Sequence, residues 1–439
     1  VTGLPQIEDR SSIARSEPET ADSWTLPIRL GWFSKLSGSE RRTWFACFGG
    51  LGLDAMDSQA YALAIPALLV ALHLTKTQAG TFATASLIGS GAGGWFFGWA
   101  ADRYGRIRMF QLSIIVVALA TFSSAFATTY WHLVVARTIQ GIGYGGEAAI
   151  GAVLISETIR PSLRGRATAS VQSGYAVGYA LAVGFMAVVF NLVREAIAWR
   201  ILFALGILPV LFLFYVRSNV SEPALYVAAE KSRSARPGFS VSPIFQMPLL
   251  TRTVIATVLS TGIFGGAYIL ITWLPTYMRT VLHLSVTTTA GYLLLNITGS
   301  FLGPIIYGNV SDKIGRRRSF VLFLVLQAVA VGIYTLAPIA LSAIFLMGFL
   351  VGTLQGALGS SMLPAFAELY PTVARGHGQG FCLSIGRGMA SLLPAGVGFA
   401  TKFIPLGKAM GGFAVASYFL AIVAALLLPE TAGKDLSEA

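Results

Sequence analysis

The sequence predicts an all-α membrane protein of twelve transmembrane helices, arranged as two pseudo-symmetric six-helix bundles. Three observations predict it. Of 439 residues, 55% are hydrophobic and only 11% charged, with a mean hydropathy of +0.70, whereas soluble domains carry about 25% charged residues. The stretch Gly98-Trp-Ala-Ala-Asp102-Arg103-Tyr-Gly105-Arg106-Ile-Arg108 returns as Gly308-Asn-Val-Ser-Asp312-Lys313-Ile-Gly315-Arg316-Arg317-Arg318, each landmark displaced by 210 residues (98 to 308, 105 to 315). Lys and Arg alternate in density from one inter-segment loop to the next, as they do across a membrane.

Taken in order, residues 1–42 are polar and of mixed charge, which predicts a cytoplasmic tail rather than a cleaved signal peptide. Apolar segments follow at about 44–71, 79–101, 108–128, 130–157, 165–193 and 198–216, each long enough for the roughly 20 residues of a spanning helix. Residues 43–217 thus form the first six-helix bundle, 218–249 a basic cytoplasmic linker, and 250–429 the second bundle. Its segments run at about 251–278, 286–310, 319–338, 340–367, 377–403 and 409–428, before a cytoplasmic tail at 430–439. The 48 glycines suit helices that approach closely in lipid.

Orientation follows from the basic residues. One side of the predicted topology carries 23 of the 31 Lys and Arg and the other six, while Arg137 and Arg387 fall within spans. That asymmetry places both termini in the cytoplasm and the chain in the cell membrane as a multi-pass protein. The net charge of +12 is accounted for by loop residues at the membrane surface, so nucleic acid is not an expected partner. Cys47 and Cys382 form neither a disulfide framework nor a metal motif.

The loop pattern G-x-x-x-D-R-x-G-R-x-R, present twice with Lys313 in place of the first copy's Arg103, resembles the signature of the major facilitator superfamily. The resemblance extends over all twelve segments. Glu157-Thr-Ile-Arg-Pro161-Ser-Leu-Arg164-Gly165 and Glu368-Leu-Tyr-Pro371-Thr-Val-Ala-Arg375-Gly376 are a second internal echo, and Pro429-Glu430-Thr431-Ala-Gly433 is similar to the ending of sugar-porter members, with Ser221-Glu222-Pro223 as its first-half partner. The resemblance implies gating roles for Gly98, Asp102, Arg103, Gly105, Arg106, Glu157 and Arg164, and for Gly308, Asp312, Gly315, Arg316, Glu368 and Arg375. In the family, Glu157 and Glu368 would pair with these basic residues as a latch that breaks when the halves rock. The plainer reading is topology anchoring by solvated charges, each exposed pair contributing only about 0–1 kcal/mol.

Charges inside spans are costly and therefore functional candidates. Asp54, Asp57 and Tyr61 are spaced i, i+3, i+7 on one helix face, and the positions 210 residues later are the apolar Phe264, Ala267 and Ile271. Arg137 comes out at a depth similar to that of Asp57 in a core of about 30 Å. Two close carboxylates in low dielectric do not both ionise readily, so Asp54 and Asp57 with Arg137 read as a proton-carrying device. The alternative is a static ion pair. Glu147 is either a second proton site or a partner for Arg106 or another cytoplasmic arginine.

Arg387, between Gly386 and Gly388, suits capture of a carboxylate, or else pairs with an unidentified acid. Further polar or aromatic lining is expected from Tyr61, Gln140, Tyr144, Gln172, Tyr175, Tyr268, Trp273, Asn296 and Gln355. Asp-x-x-Asp on the first segment, Arg137-Thr-Ile-Gln-Gly141 and Gly-Arg-Gly together resemble proton symporters of organic acids, the aromatic-acid and sialate branches above all. Ala55-Met56 departs from the usual Gly-aromatic pair there, which bears on the substrate class.

The expectation is proton-coupled uptake of a small organic anion by alternating access, by a monomer, with the proton as coupling ion and no cofactor. A passive sugar or metabolite facilitator is the alternative. A drug/proton antiporter is disfavoured because no proline follows Gly178, and an enzyme because His73, His132, His283 and His377 are scattered near loops with no nucleophile-base pair.

Overall fold

The computed structural model describes residues 31–160, 163, 167, 170–220, 222, 245–247, 249–337, 340–370 and 375–430. A short helix, α1 (Gly31–Ser34), stands apart from the unit that begins at Leu36. In that unit α2 (Gly38–Ala71) begins before the expected boundary at 43. The reason is a capping box: the Glu40 N–H donates to Ser37 Oγ at 3.3 Å and the Ser37 N–H to Glu40 Oε2 at 2.8 Å.

The chain continues through α3 (Lys76–Tyr104), α4 (Arg106–Ser124), α5 (Tyr130–Thr158), α6 (Ser173–Leu192), α7 (Glu195–Ala204) and α8 (Pro209–Asn219). The expected single segment at 198–216 is thus two helices joined by a 3₁₀ turn, because Pro209 has no N–H and its ring displaces the preceding turn. The later helices are α9 (Leu249–Thr280), α10 (Val286–Ile314), α11 (Arg316–Leu336), α12 (Leu341–Leu369), α13 (Arg375–Ala390), α14 (Leu393–Ala400) and α15 (Leu406–Leu427). The segment expected at 377–403 is likewise divided ahead of Pro394.

Among the described residues, nine helical stretches are long and apolar enough to cross a membrane. Helices α2, α3 and α5, of 34, 29 and 29 residues, have the length but are diluted in apolarity. Acids, an arginine and amides interrupt α2 and α5, and α3 is rich in Gly, Ser and Thr.

The repeat is carried into the backbone. Gly105 and Gly315 connect α3 to α4 and α10 to α11 with φ of 104° and 92°, a region that disfavours any side chain. His73 and His283, also 210 apart, end α2 and α9 in the left-handed region with φ of 49° and 53°. Helix α3 packs on α5 as α10 packs on α12: a Cβ at Gly93 would collide with the Ile142 carbonyl, and one at Gly303 with that of Thr353.

Helices before residue 220 meet those after 249 mainly near one end, through α3 against α14 and α6 against α10. There Thr77 Oγ1 donates to the Gly398 carbonyl at 3.1 Å, Thr84 Oγ1 to that of Ser391 at 2.6 Å, and Asn191 Nδ2 to Thr287 Oγ1 at 3.3 Å. Arg279 also pairs with Glu195 across this seam. At the opposite end the ion pairs Arg106–Glu157, Arg316–Glu368 and Arg160–Glu40 each stay within one half.

Candidate functional site

The buried charges of the first half meet between α2 and α5. Arg137 Nη1 lies 3.7 Å from Asp57 Oδ2, and both side chains are essentially inaccessible, 1% and 0% exposed. The guanidinium carbon sits 4.6 Å from the Phe203 ring centroid and 5.5 Å from that of Tyr61, so π faces contribute where hydrogen-bond acceptors are missing. Thr121 and Gln140 flank the Asp57 carboxyl. Even so, no nitrogen of the Arg137 guanidinium and neither Asp57 oxygen completes a hydrogen bond of good geometry. Arg–carboxylate pairs are frequently bidentate at about 2.7–2.9 Å; this contact is longer and single. A cavity of ≈ 10 Å³ adjoins Asp57 between Ala182, Leu202 and Gly206, about the room one water needs.

Asp54, on the same helix face, reaches Glu147 of α5, the two carboxyl groups lying within hydrogen-bonding reach. Both residues are buried. Gly50 makes the space, since a Cβ there would strike Glu147 Oε1. Of the alternatives for Glu147, the geometry places it on Asp54, while Arg106 is paired with Glu157 at 3.2 Å.

Arg387 projects from α13 at a point where that helix presses on α9. A Cβ at Gly386 would overlap Ser260 Oγ, whereas Gly388 faces open space. The guanidinium lies 5.1 Å from the Phe264 ring, which stacks on Tyr268 at 5.8 Å. Tyr268, Tyr144 and Tyr175 are the phenols close enough to act on its charge. Among the described residues Arg387 has no ion-pair partner, and its Nε has no hydrogen-bond acceptor. The cage draws on both halves, α5 and α6 on one side and α9 and α13 on the other. Tyr144 is also near enough to Asp54 and Glu147 for their charges to act on it. Gln59 Nε2 donates to Tyr175 Oη at 2.7 Å, tying α2 to the same cage.

Several expected lining residues sit elsewhere. Tyr61 donates its hydroxyl to the Ala79 carbonyl at 2.5 Å and packs against Arg137. Trp273 is fully buried, with Nε1 on the Pro394 carbonyl at 3.0 Å. Asn296 Nδ2 bonds the Gly348 carbonyl at 2.9 Å, and Gln140 Oε1 accepts from Ser86 Oγ at 2.8 Å beside Asp57. These four are packing or network residues: each polar atom in question meets a neighbouring helix. Gln172 is exposed at the start of α6, and Gln355 is half-buried with no hydrogen-bond partner among the described residues.

Of the loop-motif residues, Gly98 and Gly308 face open space, and Arg103 lies 6.0 Å from the Trp99 ring. Lys313 is exposed. Arg164 and the side chains of Asp102, Asp312 and Arg375 lie outside the described residues.

Sequence reasoning passed over the role of two glutamates. Glu222 accepts from the Arg106 and Ile107 N–H groups at 3.0 and 2.9 Å, and Glu430 from those of Arg316 and Arg317 at 2.8 and 3.3 Å. Each caps the helix that follows its motif loop, where the N-terminal dipole favours an anion. Both stood in the Ser221-Glu222-Pro223 and Pro429-Glu430-Thr431 pair, which was the available signal. Glu430 is therefore not part of a free tail.

The Major Facilitator Superfamily model matches residues 47–394. The chain is 35% identical over 408 residues to a probable 4-methylmuconolactone transporter of Cupriavidus pinatubonensis, covering 92% of this chain and 94% of that one. It is 28% identical over 415 residues to a sialic acid transporter of Escherichia coli, covering 93% and 98%. Among solved structures, the xylose transporter of Escherichia coli in an inward-open conformation superposes with a TM-score of 0.72 at 18% identity, covering 93% of this chain and 98% of that one. With the two-fold repeat, the motif loops and the all-helical architecture, these matches establish that the chain belongs to the major facilitator superfamily, as a multi-pass membrane transporter.

Proposed function

We propose that this transporter takes up a small organic acid together with protons, by alternating access of the halves 43–217 and 250–429 around the Arg387 cage. Arg387 receives the substrate carboxylate, with Tyr144, Tyr175, Tyr268 and Phe264 against the body of the molecule. Asp54, Glu147 and Asp57 handle protons, and Arg137 competes with the proton for Asp57. The observation that carries this reading is Arg387 against the stacked Phe264 and Tyr268 rings, with no ion-pair partner among the described residues. Sequence relatives named for muconolactone and sialic acid transport agree with a carboxylate or its lactone as cargo. Bringing a monoanion in against an inside-negative potential costs about 2.3 kcal/mol per 100 mV, and one accompanying proton cancels that charge. The basic-residue asymmetry supports a cell-membrane protein with both ends in the cytoplasm.

The test is proton movement in proteoliposomes on addition of aromatic acids, muconate, sialate or dicarboxylates. Symport predicts external alkalinisation with one acid, abolished in Asp57→Asn while substrate binding persists. Uptake without proton movement, unchanged in Asp57→Asn, would make the acids structural and the protein a facilitator.

A further inference from the structure

A groove lies away from the cage, on the outer surface of the second half. With a volume of ≈ 400 Å³, it runs down from Arg317 and Arg318 between α11 and α15, walled by Val321, Leu322, Val325 and Leu426. Both arginines are exposed, and their side chains have no hydrogen-bond or ion-pair partner among the described residues. Glu430 is occupied with the backbone N–H groups of Arg316 and Arg317, which leaves both guanidinium groups free.

The motif loop does not explain this pair. Arg318 has its first-half equivalent in Arg108, but Arg317 falls on a variable position of the repeat, where the first half has Ile107. Ile107 is buried at 8% exposure, whereas Arg317 turns outward. Val321 likewise replaces Gln111. The second half has thus gained a cation and lost a polar side chain on one helix face. Positions 318, 321, 322 and 325 follow successive turns of α11, a strip of about 10 Å at 1.5 Å per residue. Leu322, Val325 and Leu426 are 44%, 41% and 47% exposed. Because α11 is an apolar span whose first turn carries three arginines, the groove mouth sits at the headgroup level and its floor at acyl-chain level.

We propose that this groove binds an anionic phospholipid, its phosphate held between Arg317 and Arg318 and one acyl chain laid along Val321, Leu322, Val325 and Leu426. Two guanidinium groups suit a phosphodiester with a net negative charge, and a zwitterionic headgroup would leave its own cation against them.

The test is native mass spectrometry of the full-length protein in detergent, titrated with phosphatidylglycerol or with phosphatidylcholine of the same chains. Glycerol 3-phosphate serves as a chain-free competitor. The expected result is preferential retention of phosphatidylglycerol, weakened roughly 30-fold in Arg317→Gln/Arg318→Gln. Retention should also weaken in Val325→Trp, which fills the groove and leaves both arginines, and glycerol 3-phosphate should not displace the lipid. Matched thermal unfolding of the variants excludes misfolding as the cause. Equal retention of the two lipids, or undiminished phosphatidylglycerol binding in the double variant, overturns the proposal. Displacement by glycerol 3-phosphate, or indifference to Val325→Trp, overturns it too by reducing the site to a surface charge.

Discussion

Arg137 stands 3.7 Å from Asp57 in a fully buried setting, yet neither group completes a hydrogen bond. Removing one member of a buried pair typically costs about 3–5 kcal/mol because the other charge is stranded. Arg137→Gln leaves a carboxyl that can take up a proton, whereas Asp57→Asn strands a cation held only by two rings. Thermal unfolding in detergent should therefore show Asp57→Asn as the more destabilising change, by about 2 kcal/mol or more. The double variant should recover most of that loss. Equal, additive losses would mean that the pair is not coupled.

Arg387 should behave in the opposite way. With no acid to strand, Arg387→Gln is expected to leave the unfolding temperature nearly unchanged. Its cost should fall on the substrate: loss of a charge-assisted contact of about 2–5 kcal/mol corresponds to at least a 30-fold rise in KM. Arg387→Lys should recover only part, since a point charge does not reproduce a planar fork. Initial uptake rates over a substrate series give KM directly, and an unchanged value would remove Arg387 from the site.

The Glu222 and Glu430 caps predict a symmetric pair of effects. Each carboxylate satisfies two first-turn N–H groups, so Glu222→Ala and Glu430→Ala should each cost about 1 kcal/mol of stability. The two helices they cap lie in different halves, and the double variant should be additive within about 0.5 kcal/mol. A strongly non-additive result would show that both ends belong to one cooperative element.

The rim pair Glu40–Arg160 supplies a pH dependence. Arg160 donates to Glu40 at 2.6 Å and holds its carboxyl down at about 2, against an ordinary 4.5. A depressed folded value stabilises the fold fully above the ordinary one, and the contribution disappears as pH falls toward 2. Arg160 is half exposed, at 47%, so solvent screening keeps the effect small. Between pH 5 and 2 the unfolding temperature of Glu40→Gln should be less pH-dependent than that of the parent, with the two curves meeting at the acid end. Parallel curves would assign the acid sensitivity to other carboxylates.

The chain order alone determined the repeat, because a displacement of 210 is visible wherever Gly105 and Gly315 force the same turn. It also singled out Asp54, Asp57, Arg137, Glu147 and Arg387, because an ionisable group in an apolar run is conspicuous against its surroundings. Spacing along one helix placed Asp54 and Asp57 on a common face, and depth along two helices brought Asp57 level with Arg137. Partnership was decided only by tertiary structure. Glu147 meets Asp54 rather than Arg106 because α5 packs on α2 through the gap left by Gly50, and no pattern within either helix encodes that rotation. Tyr61, Trp273 and Asn296 looked like lining but satisfy carbonyls of neighbouring helices, while Tyr144, Tyr175 and Tyr268, indistinguishable from them in sequence, are close enough to Arg387 to act on its charge. A polar side chain in a membrane helix must find a partner, and sequence shows the need; which partner it finds depends on helix rotation and crossing, which are properties of the packed bundle.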